Sequence, residues 1–206
     1  MAQNYAYQWK NITSADIEYN AQRVSEFLDF TALDPDKAIR QNYCLDVGCG
    51  NGCYSYSMQK LGAMRIDSID KSPEAVARCK QVNPDAKVLD FMKSEKKLYP
   101  VYDFVLCCGA LSLVQDPREG FRLLSRLIKS SGGYLHIMAF NKANQSDNKS
   151  GTKSWPEPSY IYAFGQEELK KWFGEEGFSD VRIISTHPIN INGKRGNPSK
   201  RDYGKL

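Results

Sequence analysis

The chain of 206 residues contains only two histidines, and it has no apolar run long enough to cross a bilayer or to serve as a secretory leader. The expectation is a soluble, cytoplasmic protein with no membrane partner. Six cysteines are present, but there is no C-x-x-C pair and no histidine at zinc spacing from a cysteine. A structural metal and a disulfide framework are therefore not expected, and the thiols read as reduced. No internal repeat occurs. The body of the chain also lacks an excess of either charge. In residues 193–206, Lys194, Arg195, Lys200, Arg201 and Lys205 stand against Asp202, which accounts for the whole formal net charge of +4. The basicity belongs to a polar tail, which reads as a solvated end or as a phosphate-contacting one.

What remains is an ordinary globular composition, 41% hydrophobic and 25% charged. The length suits one domain, assigned to residues 1–192, with 1–40 as an N-terminal helical cap and 141–163 as a lid loop. Strand and helix signals alternate along it. In "TSADIEYNAQRVSEFLDF" the residues Ile17, Ala21, Val24 and Leu28 share one helical face. "NYCLDVG", "RIDSID", "AKVLDF", "YDFVLCCGALSLV", "YLHIMAF" and "SDVRIISTH" read as six strands. Between them Ser72 with Pro73 and Asp116 with Pro117 mark helix starts, while Gly62, Gly132 and Gly177 mark stops. "GQEELKKWFGEEG" places Leu169, Trp172 and Phe173 inward. No convincing seventh strand follows His187. This order implies an α/β, Rossmann-like, open and mostly parallel sheet with helices on both faces. Ligands of such sheets bind at the carboxyl ends of the strands.

The most informative stretch is the turn Gly48-Cys49-Gly50-Asn51-Gly52, directly after the first strand and two residues beyond Asp46. Glycines there admit positive φ and let a ligand approach the backbone without meeting a Cβ. The dinucleotide fingerprint needs its third glycine where Cys53 stands, and a P-loop needs a lysine that is absent. Close approach is built in, while both standard phosphate readings fail on spacing.

With these residues, "LDVGCGNG" at 45–52 resembles the first motif of the class I S-adenosylmethionine-dependent methyltransferases. The resemblance extends over roughly residues 40–185. It implies S-adenosylmethionine as cofactor, held by Asp46, Gly48, Cys49 and Gly50. Asp70 with Lys71 stands where the family binds the ribose hydroxyls. Asp90 would meet the adenine amino group, with the backbone or ring of Phe91 beside the purine, and Cys107 begins the stretch lining the methionine end. A carboxylate accepting from a ribose diol makes charge-assisted bonds roughly twice as strong as neutral ones. No lysine is needed in the turn, because this cofactor has no pyrophosphate.

The acceptor side is less defined. Tyr5 and Trp9 near the N-terminus, and Trp155 and Tyr160 in the polar segment after the fifth strand, are the aromatic candidates for an acceptor pocket. His187 is the candidate base; His136 falls mid-strand and reads as a core residue. Cys108 could occupy the place of a metalloid-binding cysteine, but no later cysteine exists to share the ligand. The expected reaction is methyl transfer to an oxygen, nitrogen or sulfur atom of a small molecule. The alternatives are an RNA or protein methyltransferase docking through its basic tail, and a non-catalytic cofactor-binding subunit.

Overall fold

The computed structural model describes residues 33–93, 98, 101–141 and 162–184. A short helix α1, Pro35–Ala38, opens with Asp34 accepting from the Asp36 amide. Strand β1, Tyr43–Val47, is followed by the glycine turn and helix α2, Cys53–Lys60. Strand β2, Arg65–Asp70, leads to helix α3, Pro73–Cys79, with Ser72 as its cap. Strand β3 is only Lys87–Val88, and a 3-10 turn, Phe91–Lys93, follows it. Strand β4, Phe104–Cys108, ends in a second 3-10 turn, Ala110–Leu113. Helix α4, Pro117–Leu127, is capped by Asp116, whose side chain accepts from the Glu119 amide. Strand β5, Tyr134–Met138, is followed by β6, Phe140–Asn141, then β7, Ala163–Phe164, and helix α5, Gln166–Glu175.

The five main strands form one parallel sheet in the order β3-β2-β1-β4-β5. The chain therefore winds outward from β1 in one direction, returns, and winds the other way from β4. A crevice must open between the carboxyl ends of β1 and β4, because the crossovers there depart to opposite sides. Alternation along the strands separates the two faces of the sheet. Leu45, Val47, Val105 and Cys107 join Phe121, Leu124 and Leu127 of α4 and Trp172 of α5. Cys44, Phe104 and Leu106 face the other way, onto Ala38, Ile39 and Met58.

Several expected boundaries move. The fourth strand stops at Cys108 because Gly109, at φ 78°, turns the chain into a 3-10 segment. The fifth run breaks after Met138, and Phe140–Asn141 pairs with Ala163–Phe164 instead. Helix α4 ends at Leu127, and Ile128 bridges to Tyr102 well before Gly132. The expected sixth strand is not found in residues 181–184, although their exposure still alternates. Alternation suits a strand, but a strand also needs a ladder partner. Residues 185–187 lie outside the described residues, as does the expected first helix.

Phe121 anchors the α4 face of the sheet. It is fully buried, and the rings of Trp172 and Phe173 meet it edge-on at centroid distances of 5.7 and 4.8 Å. Phe121→Ala is expected to lower stability by about 3–5 kcal/mol in urea unfolding. A loss below about 1 kcal/mol would show that α5 does not depend on this contact.

Candidate functional site

At the crevice the turn after β1 presses directly against the turn after β4. A Cβ on Gly48 would lie 2.5 Å from Ala110 Cβ, and the residue sits at φ 73°, so no other side chain fits. The amides of Gly48 and Cys49 both donate to the Ile69 carbonyl, at 2.8 and 3.0 Å. The Gly50 amide donates to Asp70 Oδ2 at 3.0 Å. Gly52, at φ 84°, lies on α3, where a Cβ would come within 2.6 Å of Val82 Cγ2. The turn is thus fastened to the end of β2 by three of its amides, and the missing Cβ atoms of Gly48 and Gly52 leave the room that Ala110 and Val82 fill.

The three expected acids occupy different environments. Asp70 is half-buried at the end of β2; beside the Gly50 bond, its Oδ1 accepts from the Ser72 amide at 2.8 Å. Each oxygen keeps a second lone pair for a ligand. Lys71 beside it is exposed. Asp90, also half-buried, caps the 3-10 turn by accepting from the Met92 amide at 3.1 Å, and Lys93 Nζ lies 3.8 Å away. The ring of Phe91 enters the main core, so the cleft is offered its backbone rather than its ring.

Asp46 is different: it lies beneath the turn and is 0% exposed. Asn83 Nδ2 can only donate, and it does so to Ser68 Oγ at 2.7 Å. Ser68 therefore donates to Ser55 across 2.7 Å, and Ser55 donates to Asp46 Oδ2 at 2.6 Å. The chain of hydroxyls ends on the carboxylate, whose Oδ1 has no hydrogen-bond partner among the described residues. Burial pushes this carboxyl up to about 7, and the Asp70 charge adds to the shift while the Ser55 bond opposes it.

Cys107 was expected at the methionine end, but its side chain is wholly buried in the core, leaving only its backbone for a ligand. Its neighbour Cys108 takes the other side, because strand side chains alternate. The Cys108 thiol donates to Tyr54 Oη at 2.9 Å, with Met138 Sδ at 3.5 Å, and Tyr54 Oη stands 3.9 Å from Met138 Sδ. Burial, followed by the influence of Cys108, raises the phenol above its ordinary value, so Tyr54 stays protonated. The sequence reading missed Tyr54 and Met138. The available signal was an aromatic residue two positions past the last glycine. Ser112 was also unassigned: its Oγ accepts from the Phe140 amide at 3.2 Å and its carbonyl from the Tyr162 amide at 2.8 Å.

His136 stands in mid-β5, opposite Leu106, and burial pushes it down to about 4, so it is neutral at pH 7. Asp103 behaves as a structural acid, accepting from the Tyr43 amide at 2.9 Å and pairing with Lys129. The candidates Tyr5, Trp9, Trp155, Tyr160 and His187 lie outside the described residues, as do the tail and residues 142–161. Among the described residues no group of three or more metal-ligating side chains occurs, and no helix is long and apolar enough to cross a membrane. An open groove of about 580 Å³ lies elsewhere, lined by Gln59, Met64, Arg65, Asn83 and Lys87 among others. It contains none of the expected site residues.

Residues 12–183 match the family model described as a methyltransferase domain, and the chain belongs to that family. It is similar to the ubiquinone biosynthesis O-methyltransferase of Vibrio atlanticus (strain LGP32), 29% identical over 231 residues, covering 94% of this chain and 90% of that protein. The corresponding enzyme of Proteus mirabilis (strain HI4320) is 35% identical over 104 residues, or 48% of this chain. There the match spans 42% of the relative's length. Among solved structures, a SAM dependent methyltransferase from Archaeoglobus fulgidus superposes with a TM-score of 0.67 at 19% identity, covering 97% of this chain and 87% of that one.

The raised Asp46 carboxyl has a measurable consequence. Its ordinary value is 3.8 and its folded value about 7, so between those limits the folded state holds a proton that the unfolded chain releases. Wild-type stability should fall as pH rises through that window. Asp46→Asn keeps an acceptor for Ser55 without the charge. The variant should gain on wild type from pH 4 to 7 and hold that gain above pH 7, by at most about 4 kcal/mol. Urea unfolding at pH 5 and pH 8 checks this; an equal difference at both would refute the buried charge.

Proposed function

We propose that the protein is an enzyme that transfers the methyl group of S-adenosylmethionine to an oxygen, nitrogen or sulfur nucleophile of a small molecule. The observation that carries this reading is the bare turn 48–52, held against Ala110 and latched to Asp70 at the topological switch point. Membership in the methyltransferase-domain family supports it. The ubiquinone-biosynthesis relatives are O-methyltransferases by name, which favours oxygen as the accepting atom. The domain is taken as residues 1–192 and the basic tail as 193–206, in a cytoplasmic protein.

The residues present fit the cofactor. Asp70 has lone pairs left for the ribose hydroxyls while its two existing bonds keep the turn fixed. Asp90 offers a carboxylate for the adenine amino group, with the Phe91 backbone beside it. Gly48 and Gly50 are the proposed backbone contacts of the methionine portion. When bound, S-adenosylmethionine supplies a methyl group already activated by its sulfonium leaving group. The protein then has to orient the acceptor and keep out water. Tyr54, Cys108 and Met138 serve the second task at the end of β4 as an uncharged wall. Ser112 serves the first by fixing Phe140 and Tyr162 on either side of segment 142–161, the proposed lid that carries Trp155 and Tyr160. Tyr5 and Trp9 complete the proposed acceptor wall, and His187 is the proposed base where the acceptor needs one.

Titration with S-adenosylhomocysteine by calorimetry tests the reading, with NAD as control ligand. Asp70→Asn should weaken binding by about 10–100-fold, the loss of a charge-assisted bond of about 1.5–3 kcal/mol. Preference for NAD, or equal binding by wild type and variant, would overturn the assignment.

A further inference from the structure

Cys108 is the one cysteine of six that is not buried. It ends β4, and the parallel register sets it directly beside Met138, the last residue of β5. Partners in a ladder present their side chains on the same face of the sheet, and here the two sulfurs lie 3.5 Å apart. Tyr54 reaches the same point from the first turn of α2. Its Oη stands 2.9 Å from Cys108 Sγ and 3.9 Å from Met138 Sδ. All three residues are half-buried, so the cluster keeps contact with solvent. The proposed methyl transfer uses them only as a wall.

Two of these three atoms are soft donors. Thiolate and thioether sulfur select polarizable cations such as Cu(I), whereas Mg(II) and Ca(II) need oxygen ligands and Zn(II) prefers thiolate, imidazole and carboxylate. With metal–sulfur bonds of about 2.3 Å, the length found for zinc thiolates, sulfurs 3.5 Å apart subtend about 100° at the ion. That is close to the tetrahedral angle, so both sulfurs can bind one ion from where they stand. Their backbones are neighbours in one ladder, which fixes the spacing before any ion arrives.

Tyr54 supplies the third part. In the thiol form the Cys108 S–H donates to Tyr54 Oη. A hydroxyl can both accept and donate, so once Cys108 loses its proton the Tyr54 O–H turns toward Sγ across the same gap. Burial holds the phenol protonated, and the donor is therefore present when the thiolate forms. A singly charged ion on one thiolate leaves the cluster neutral, as a half-buried wall requires.

We propose that Cys108 and Met138 form a binding site for one soft monovalent cation of the Cu(I) class, with Tyr54 as the hydrogen-bond donor that supports the thiolate. On binding, the Cys108 S–H bond breaks, its proton leaves to solvent, and the sulfur electron pair forms the bond to the ion. The Met138 thioether donates a second pair and releases no proton. No electron is transferred. The site stands on these three side chains and is independent of the methyl-transfer reading.

Ag(I), which shares the charge and softness of Cu(I) and is stable in air, is the probe. Calorimetric titration of the reduced full-length protein with silver nitrate, in buffer free of chloride and thiols, should load one ion per chain at the tightest site. Cys108→Ser should weaken that site by about 100-fold or more, and Met138→Leu and Tyr54→Phe each by about tenfold or more. Equimolar Zn(II) should not displace the silver. X-ray absorption at the silver edge of the loaded wild type should show two sulfur neighbours, a readout that needs no variant to fold. The proposal is overturned by a shell with one sulfur, by Zn(II) displacing the silver, or by any of the three variants keeping native circular dichroism and binding silver as wild type does. Titration of the same wild-type protein with S-adenosylhomocysteine decides the methyltransferase reading separately.

Discussion

The hydrogen bond from the Gly50 amide to Asp70 Oδ2 joins residues twenty positions apart in sequence, and the architecture of the site closes on it. Asp70 ends β2, and its other oxygen holds the Ser72 amide. Ser72 in turn caps α3 through the Ala75 amide, and the far end of α3 delivers Cys79 to the underside of Gly52. Turn, strand end, helix cap and helix end form one circuit that returns to its starting point. Without the Asp70 carboxylate, the amide of Gly50 and the cap of α3 lose their shared partner together.

The circuit also explains why the turn has so little freedom despite its three glycines. Glycine raises the entropy that folding must overcome, and each bare position would weaken a turn that was not otherwise held. Here Ile69 accepts two amides of the turn and Asp70 a third, while Ala110 and Val82 block the space that any Cβ would need. The glycines let those neighbours approach closely, and the neighbours supply the rigidity that the glycines lack. Sheet order makes this possible, because β1 and β4 are adjacent only where the winding reverses.

Much of this was legible in the sequence where the governing chemistry was local. Ser72-Pro73 and Asp116-Pro117 announced two helix starts, and both caps form as read. The run from Tyr43 to Val47 and the turn after it needed only apolarity, an acid and spacing. What the sequence left hidden depended on partners remote along the chain. The strand-like alternation at 181–184 found no ladder, since pairing is a property of two segments. Cys107 and Cys108 are indistinguishable as letters, and only the pleat of β4 decides which enters the core. Tyr54 acquires its role from Met138, 84 residues away. Ser112 likewise joins Phe140 to Tyr162, which no periodicity in either segment could announce.

Asp46 shows how one acid of the motif serves a purpose different from that of its two companions. Asp70 and Asp90 keep solvent contact and acceptor capacity, whereas Asp46 is sealed beneath the turn at the end of the donor chain from Asn83 through Ser68 and Ser55. A buried hydroxyl without an acceptor costs stability, and two in series still leave one proton to place. The carboxylate accepts that proton, which fixes the direction of every bond in the chain and so the relative positions of α2, β2 and the loop after α3. Its cost is a charge in a dry place, expressed in a carboxyl raised to about 7. A neutral acceptor would satisfy Ser55 at lower cost but would put no negative charge under the turn.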